Sequence, residues 1–396
     1  MKLFKSLLIA PATLGLLAPM SLTANEFNLN DVSDYSSSEE VQNINEFNSK
    51  ELAITNSRVD GLEARLNNFE AGSFSETTTA TFSADMYLGA VSGGAAPAEA
   101  VNATYSFGIA LNTSFTGEDS LDVAIDAGNS GQAGTVEFDG NSSGDGLVVD
   151  GLSYTFPLGD KTTAFVGDNT DGSLLFTKAC VYGGPSNTLD DCGVAYSNLN
   201  GGGGTAFGAS YDFGNGFTSA FGVTTEGSNA DGVLTEESSD AYAINAAYTA
   251  DNYGVSLTFA DIEDPIAGIT DSTLWAFNAY YTPEADGMPS ISAGYESAEN
   301  DHVSFVEDID SSHWFVGLSW DEVGPGTAGV AVGTKQHTLD LPGGDAASDE
   351  MLMYEAYYSY DINDGMTITP LVFVKENAVA TTDDETGVMV KTSFSF

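Results

Sequence analysis

The chain carries very little positive charge. It has 10 Lys and Arg residues against 58 Asp and Glu residues, so its formal net charge at pH 7 is −48. This balance excludes a nucleic-acid partner, because the phosphates of DNA or RNA would be repelled. Two interpretations of the acidity remain open: a surface that favours cations, and solvation in salty surroundings, where dissolved ions screen the repulsion between carboxylates.

Long apolar runs are also missing. Beyond the first 24 residues, no stretch approaches the roughly 20 apolar residues that a membrane-spanning helix needs. The mean hydropathy of −0.06 is too polar for a helical membrane protein. It is ordinary for a β-barrel, in which lipid-facing and water-facing residues alternate.

Residues that carry catalysis are scarce as well. The three histidines, His302, His313 and His337, are scattered, and the chain has neither a nucleophile motif nor an H-E-x-x-H metal motif. Acidic runs such as 307–310 and 383–385 lack the spacing of an EF-hand. We therefore expect no enzyme activity, no cofactor and no metal site.

The N-terminal 24 residues are typical of a cleaved secretory signal. Lys2 and Lys5 precede a short apolar stretch that Pro11 interrupts, and the segment ends on the small residue Ala24. Cleavage there would remove both lysines and take the net charge from −48 to about −50. Residues 25–49, rich in Asn, Ser and acids, are predicted to be a flexible polar leader.

A short helix is predicted at residues 50–71. Its core positions follow the 3-4-3-4-3 spacing of a coiled coil and are Leu52, Thr55, Val59, Leu62, Leu66 and Phe69. Fewer than three heptads cannot hold an isolated dimer together. Two alternatives stay open: the stalk of an oligomer whose main contacts lie elsewhere, and an amphipathic helix packed on its own barrel.

From residue 77 to 396 the period changes to 2, which is that of β-strands. In residues 103–115 large apolar side chains alternate with Gly, Ala, Ser, Thr and Asn, and similar patterns occur at 207–213, 253–259 and 314–320. Large residues on one face and small ones on the other fit lipid outside and water inside. The sequence therefore predicts an all-β fold, a transmembrane antiparallel up-and-down β-barrel, with a soluble secreted sandwich as a weaker alternative.

Turn residues give a strand count. Short turns are predicted at 117–118, 158–160, 214–216, 251–252, 283–288, 321–325 and 361–365. Long acidic connections alternate with them at 91–101, 129–149, 169–204, 227–239, 263–271, 299–310, 337–350 and 377–385. Together with a first strand near 80–90 and a last one near 387–396, they predict about 16 strands, with both strand termini on the short-turn, periplasmic side.

The last strand alternates up to the final residue, Phe396. Outer-membrane barrels commonly end on a strand with a terminal Phe, so Phe394 and Phe396 are expected to serve barrel assembly.

Six short segments are distinctive: MKLF at 1–4, APATLGL at 10–16, APM at 18–20, NLNDVSDY at 28–35, KELAI at 50–54 and RVDGLEAR at 58–65. In these segments the chain resembles porins of marine picocyanobacteria, which are grouped with the carbohydrate-selective OprB-type porins. Such porins usually carry an S-layer homology domain that tethers them to the cell wall. Only residues 39–49 stand in its place here, so the resemblance does not extend to wall anchoring.

The third long connection holds both cysteines. Cys180 and Cys192 are separated by eleven residues, a spacing that predicts a disulfide in an exported protein, with two free thiols as the alternative. In general porins the third loop folds into the lumen and narrows it. By that analogy Lys178, Asp190 and Asp191 are expected at the constriction.

Charged residues on the small, wet faces of the strands are predicted to line the pore, because a charge facing lipid is costly. They are Asp85, Asp122, Asp126, Lys161, Asp212, Glu296, Lys335, Glu355 and Lys391. The expected function is an outer-membrane porin, a homotrimer that passes small hydrophilic solutes and ions and prefers cations. The alternative is a structural or adhesive barrel whose lumen is occluded.

Overall fold

A closed barrel of antiparallel strands forms the part of the chain that the structure, a computed structural model, describes. The described residues are 77–396 apart from 94–99, 132–135, 139, 187–188, 195, 198, 200–203, 226–231, 236–238, 267–268, 303–307, 335–337, 340–349 and 378–382. The predicted signal, leader and helix, residues 1–71, lie outside them. Among the described residues, no helix is long and apolar enough to cross a membrane.

Sixteen strands make up the wall, and each pairs with its neighbours in chain order. They are β1 (Thr78–Ser92), β2 (Asn102–Thr113), β3 (Ser120–Gly128), β4 (Val148–Pro157), β5 (Thr162–Asp168), β6 (Thr205–Gly214), β7 (Phe217–Thr225), β8 (Asp240–Thr249), β9 (Tyr253–Ile266), β10 (Ile269–Tyr281), β11 (Ser290–His302), β12 (Ile309–Val323), β13 (Gly326–Thr334), β14 (Leu352–Asn363), β15 (Met366–Lys375) and β16 (Glu385–Ser395). The segment Thr338–Leu339 continues β13 along the same neighbour, β12. A 3₁₀ turn, Val136–Phe138, lies between β3 and β4.

The barrel closes by pairing its first strand with its last. The backbone N–H and C=O of Phe82 exchange hydrogen bonds of 2.9 and 3.0 Å with those of Phe396. The two rings stack with their centroids 5.8 Å apart. Closure leaves no unpaired strand edge, which is the condition for strands to cross a lipid bilayer.

The cross-strand register confirms the predicted alternation. Phe107 pairs with Ala84 on one side and Ala127 on the other, and Phe259 pairs with Trp275. Paired residues share a face, so these apolar side chains form the outer surface of the barrel. The sixteen-stranded all-β fold is confirmed.

The predicted short turns are confirmed, but two predicted long loops are not as expected. In one of them, 299–310, β11 continues to His302 and β12 begins at Ile309. All seven short turns join the expected strands; between β6 and β7 the positive φ angles of Asn215 and Gly216, 54° and 83°, suit a two-residue hairpin. The prediction of a long loop at 263–271 is wrong, because β9 continues to Ile266 and β10 begins at Ile269. Polar residues here mark strands that extend beyond the apolar band rather than a loop.

Candidate pore and constriction

The described residues of the third connection, which spans 169–204, fold into the barrel, and we name this connection the constriction loop after its predicted role. Five of its backbone N–H groups donate to polar side chains on the inner wall of β7 to β11. These bonds run from Gly172 to Thr224 Oγ1, Thr177 to Asn245 Oδ1, Ala179 to Ser256 Oγ, and Val181 and Tyr182 to Ser292 Oγ, at 2.8 to 3.1 Å. The small polar inner face thus satisfies a loop backbone that is removed from water.

Glycines on the inner wall let the loop backbone lie directly against it. A Cβ on Gly294 would stand 1.7 Å from the carbonyl oxygen of Cys192, and one on Gly222 would stand 1.8 Å from that of Gly172. The same Cys192 oxygen accepts a 2.9 Å hydrogen bond from Asn278 Nδ2. Substituting either glycine would displace the loop.

A disulfide joins the two cysteines inside this loop. Cys180 and Cys192 are bonded, with their Cα atoms 6.5 Å apart. Cys192 is 1 % exposed and packs in an apolar cluster with Tyr182, Leu189 and Phe315. The disulfide therefore closes the part of the loop that rests on β11 and β12.

Two predicted pore-lining residues, Glu296 and Glu355, lie on the inner wall but are covered by the loop. Glu296 is 0 % exposed and accepts the backbone N–H groups of Tyr196 and Ser197 at 3.0 and 2.9 Å. Glu355 is 4 % exposed and accepts the Tyr182 hydroxyl at 2.7 Å. The prediction that they face pore water is corrected, because these carboxylates hydrogen-bond the loop instead.

Burial raises the pKa of Tyr182, and the Glu355 carboxylate raises it further. The Tyr182 hydroxyl therefore keeps its proton and remains a donor at neutral pH.

The predicted constriction residues Lys178, Asp190 and Asp191 all belong to this infolded loop. Lys178 Nζ donates to the backbone carbonyl of Asp191 at 3.2 Å. Desolvation lowers the pKa of Lys178, and the carboxylates of Asp191 and Asp190 oppose that shift. The Asp191 side chain is 3.1 Å from His313 Nε2, and His313 Nδ1 is 2.7 Å from Thr334 Oγ1. Sequence analysis did not assign this contact to His313.

The wall opposite the constriction loop keeps its charges more accessible. Lys391 Nζ is 3.6 Å from Asp85 Oδ2, and their side chains are 29 % and 22 % exposed. Asp126, also on this wall, accepts Asn141 Nδ2 at 3.3 Å. The residues share a 200 Å³ recess with Ser83, Tyr87, Ser106 and Phe138.

The remaining predicted pore residues lie near the short-turn end of the barrel, except for one that is outside the described residues. Asp122 accepts hydrogen bonds from Asn112 Nδ2 and Ser120 Oγ, and Asp212 accepts the N–H of Gly214 in the turn. The prediction that Lys161 lines the lumen wall is wrong: it sits in the turn before β5 and donates to the carbonyl of Phe213 at 3.3 Å. Lys335 lies outside the described residues.

Described residues of a second connection, which spans 129–147, also reach into the barrel. Glu137, 1 % exposed, forms an ion pair with Lys375 of β15, and Lys375 is 3.4 Å from Glu385 of β16. The Phe138 ring lies 5.5 Å from that of Tyr87 on β1. Sequence analysis missed Glu137 and Lys375.

The inner face of β12 to β16 is not uniformly small and polar, contrary to the prediction. Large apolar side chains point inward there and pack against the two infolded connections: Phe315, Met353, Leu371, Phe373 and Met389. The available signal was the run Leu371-Val372-Phe373-Val374, which is apolar on both faces, as in a strand covered on both sides.

Comparison with known protein sequences gives a distant relative but no family. No protein-family model matches the chain. An uncharacterized protein of a Nostoc species is 24% identical in an alignment of 421 positions, which covers 90% of this chain and 72% of that protein.

Solved structures of porins superpose on the barrel. OprB of Pseudomonas putida matches with a TM-score of 0.58 and 12% identity, covering 81% of this chain and 94% of that one. The anion-selective porin of Comamonas acidovorans matches with a TM-score of 0.55 and 13% identity, covering 81% and 99%. The barrel of this chain has the fold of OprB and other outer-membrane porins.

Proposed function

We propose that the chain is an outer-membrane porin through which small hydrophilic solutes and ions diffuse passively. The observation that carries the proposal is the asymmetry of the barrel interior. The constriction loop hydrogen-bonds the wall of β7 to β11, whereas the opposite wall presents the partly exposed Asp85 and Lys391. Charges left in contact with water inside a closed barrel fit a water-filled passage better than an occluded one.

Single-channel recording of the purified full chain in planar bilayers tests this proposal. We expect discrete conductance steps, because a water-filled lumen removes the dehydration barrier for ions. Sugars of increasing size, added on both sides, should lower the conductance until they no longer enter. Insertion without any steps would favour the alternative, a structural or adhesive barrel with an occluded lumen.

A preference for cations is part of the proposal. Each lysine described inside the barrel lies beside at least one carboxylate: Lys178 near Asp190 and Asp191, Lys375 near Glu137 and Glu385, and Lys391 near Asp85. Asp122 and Asp126 add negative charge and are contacted by amide and hydroxyl groups. The anion-selective porin of Comamonas acidovorans shares the fold, so selectivity must depend on these side chains and not on the barrel itself.

The assembly and location that we propose are a homotrimer embedded in the outer membrane after export by a cleaved signal. The apolar outer surface, with Trp275 52 % and Ile244 60 % exposed, supports contact with lipid. Detergent extraction from an outer-membrane fraction and a heat-sensitive band of three times the monomer mass would support both statements. Recovery in the soluble fraction would refute the membrane location.

A further inference from the structure

A groove on the outer face of β10, β11 and β12 brings exposed aromatic rings together with carboxylates. Trp275, Ser297 and Ser312 are direct cross-strand neighbours in one row across the three strands. Because two serines stand where neighbouring rows carry large side chains, the surface is depressed at this row. The resulting cavity has a volume of 430 Å³.

The walls of the groove combine aromatic rings with carboxylates. Trp275 and Tyr295 are 52 % and 50 % exposed, and the Trp275 ring is held by Phe259 at 4.9 Å. Glu299 and Asp310 line the other side, together with the hydroxyls of Thr273, Ser297 and Ser312. The groove therefore offers flat apolar faces beside several hydrogen-bond acceptors.

The groove lies at the long-connection edge of the apolar band. On the adjacent β9 the outward residues are Tyr253, Val255, Leu257 and Phe259, followed by Asp261 and Glu263. Seven residues from Tyr253 to Phe259 span roughly 20 Å along the strand, after which the surface becomes polar. Aromatic residues at such a boundary lie at the level of the lipid headgroups.

The charge of the groove restricts what can occupy it. Glu299 and Asp310 are paired directly across β11 and β12, an arrangement of like charges that destabilises a sheet unless something compensates it. Of the lysines in the described segments, three are inside the barrel and Lys161 is in a turn at the opposite end. The described surface around the groove therefore offers no cation for a phosphate or sulfate group, and a second copy of the chain would bring more negative charge.

We propose that this groove binds the saccharide headgroup of an uncharged glycolipid in the outward-facing leaflet. The apolar C–H face of a sugar ring packs on Trp275 and Tyr295, since exposed aromatic faces favour flat apolar partners. Sugar hydroxyls donate to the carboxylates of Glu299 and Asp310, and hydrogen bonds to ionised acceptors are the stronger kind. The acyl chains continue down the apolar wall. The inference rests on the membrane location proposed above but not on solute passage.

Lipid retention by the purified full chain tests the proposal. The chain is reconstituted in nanodiscs of phosphatidylcholine with equal small amounts of digalactosyl diacylglycerol and phosphatidylglycerol, then transferred to detergent. Lipid that stays bound is counted by native mass spectrometry. We expect the galactolipid to be retained at least tenfold over phosphatidylglycerol, and Trp275→Leu or Glu299→Gln to remove that preference.

Matched controls separate the groove from general effects. Trp320→Leu changes an outward tryptophan at the other end of β12, and Glu284→Gln changes an exposed turn carboxylate; both should retain the galactolipid as the unmodified chain does. Equal retention of the two lipids, or an unchanged preference in Trp275→Leu and Glu299→Gln, would overturn the proposal. So would free galactose displacing the lipid at millimolar concentration, which would show that the ligand is a soluble saccharide.

Conductance of the same variants separates this proposal from the porin function. Variants that show normal conductance steps but no longer retain the galactolipid would show that the groove acts separately from the pore. If the unmodified chain retained the galactolipid but showed no steps, the porin function would be refuted and the groove proposal would stand. If Trp275→Leu instead dissociated the oligomer without changing lipid retention, the occupant would be a second copy and the glycolipid proposal would be wrong.

Discussion

Replacing Glu296 with Ala should release the C-terminal part of the constriction loop from the wall. The carboxylate of this fully buried residue accepts two backbone N–H groups, those of Tyr196 and Ser197. Hydrogen bonds to a charged group contribute about 1.5–3 kcal/mol each. The substitution therefore removes roughly 3–6 kcal/mol from the closed arrangement of the loop.

That range is large for a conformational equilibrium, since about 5.5 kcal/mol converts a 1:99 population into 99:1. We expect the Glu296→Ala pore to show a higher or noisier open conductance and to admit larger sugars. Glu296→Gln should give an intermediate result, because the amide oxygen accepts an N–H whereas the amide nitrogen cannot. Glu284→Gln, in a turn outside the lumen, should leave conductance unchanged.

Hydrogen exchange reports on the two contacts directly. In the unmodified chain the amides of Tyr196 and Ser197 should be protected, and in Glu296→Ala their exchange should be faster by a factor of at least one hundred, which corresponds to about 2.7 kcal/mol. If both amides stayed protected and the sugar size limit did not move, the assignment of Glu296 as an anchor of the loop would be refuted.

Four further changes have expected outcomes. Deleting Phe396 should prevent assembly of the heat-modifiable barrel on gels, because its backbone closes the ring against Phe82; a normal barrel band would contradict this. Cys180→Ser should lower the free energy of unfolding by about 3 kcal/mol by the chain-entropy estimate and raise open-channel noise. A reductant acting on the unmodified chain should do the same. Unchanged noise and thermal stability would argue that the disulfide does not constrain the loop. Asp126→Asn should shift the reversal potential in a tenfold KCl gradient toward chloride at 0.1 M salt and less at 1 M, where the Debye length is only about 3 Å; chloride selectivity of the unmodified chain would refute the cation preference. Burial raises the pKa of Asp119, but hydrogen bonds from Thr116, Tyr154 and Ser114 outweigh burial and hold that pKa well below its usual range. The Asp119 carboxylate therefore stabilises the β2–β3 turn fully above the unfolded pKa of about 3.9. This stabilisation is lost as pH falls through the lower folded pKa. The thermal-stability difference between the unmodified chain and Asp119→Asn should thus be full at pH 7 and vanish in strong acid, and a difference independent of pH would contradict the role of the charge.

The wall of the barrel could be predicted from local pattern alone. A period of 2 decides which side chains share a face, and each short turn fixes the pairing of the two strands that it joins. The outward faces at 103–111 and 253–259 are confirmed for that reason. The failure at 263–271 has the same origin, since the sequence marks where the surface changes from apolar to polar and not where a strand ends.

The interior depends on contacts that no local pattern reveals. Tyr196 and Glu296 are 100 positions apart, and Glu137 and Lys375 are 238 positions apart. The alternation placed Glu296 and Glu355 on the inner face, yet their burial follows from the path of a loop that comes from another part of the chain. Analogy with the third loop of general porins predicted that the third connection folds inward. Nothing in the sequence indicated that the connection at 129–147 would also reach into the barrel.

Charge inside the barrel is arranged differently from charge in the whole chain. The net charge of −48 counts every ionisable residue of the chain, wherever it lies. Inside, the carboxylates of Glu296 and Glu355 are turned toward the loop and Glu137 toward Lys375, so these three act on structure more than on passing ions. We therefore attribute the proposed cation preference to the accessible charges. These are Asp85, Asp122, Asp126 and Lys391 on the wall and Lys178, Asp190 and Asp191 on the constriction loop. Because five of these seven are acids, the local balance has the same sign as the whole chain, although only a small number of side chains determine it.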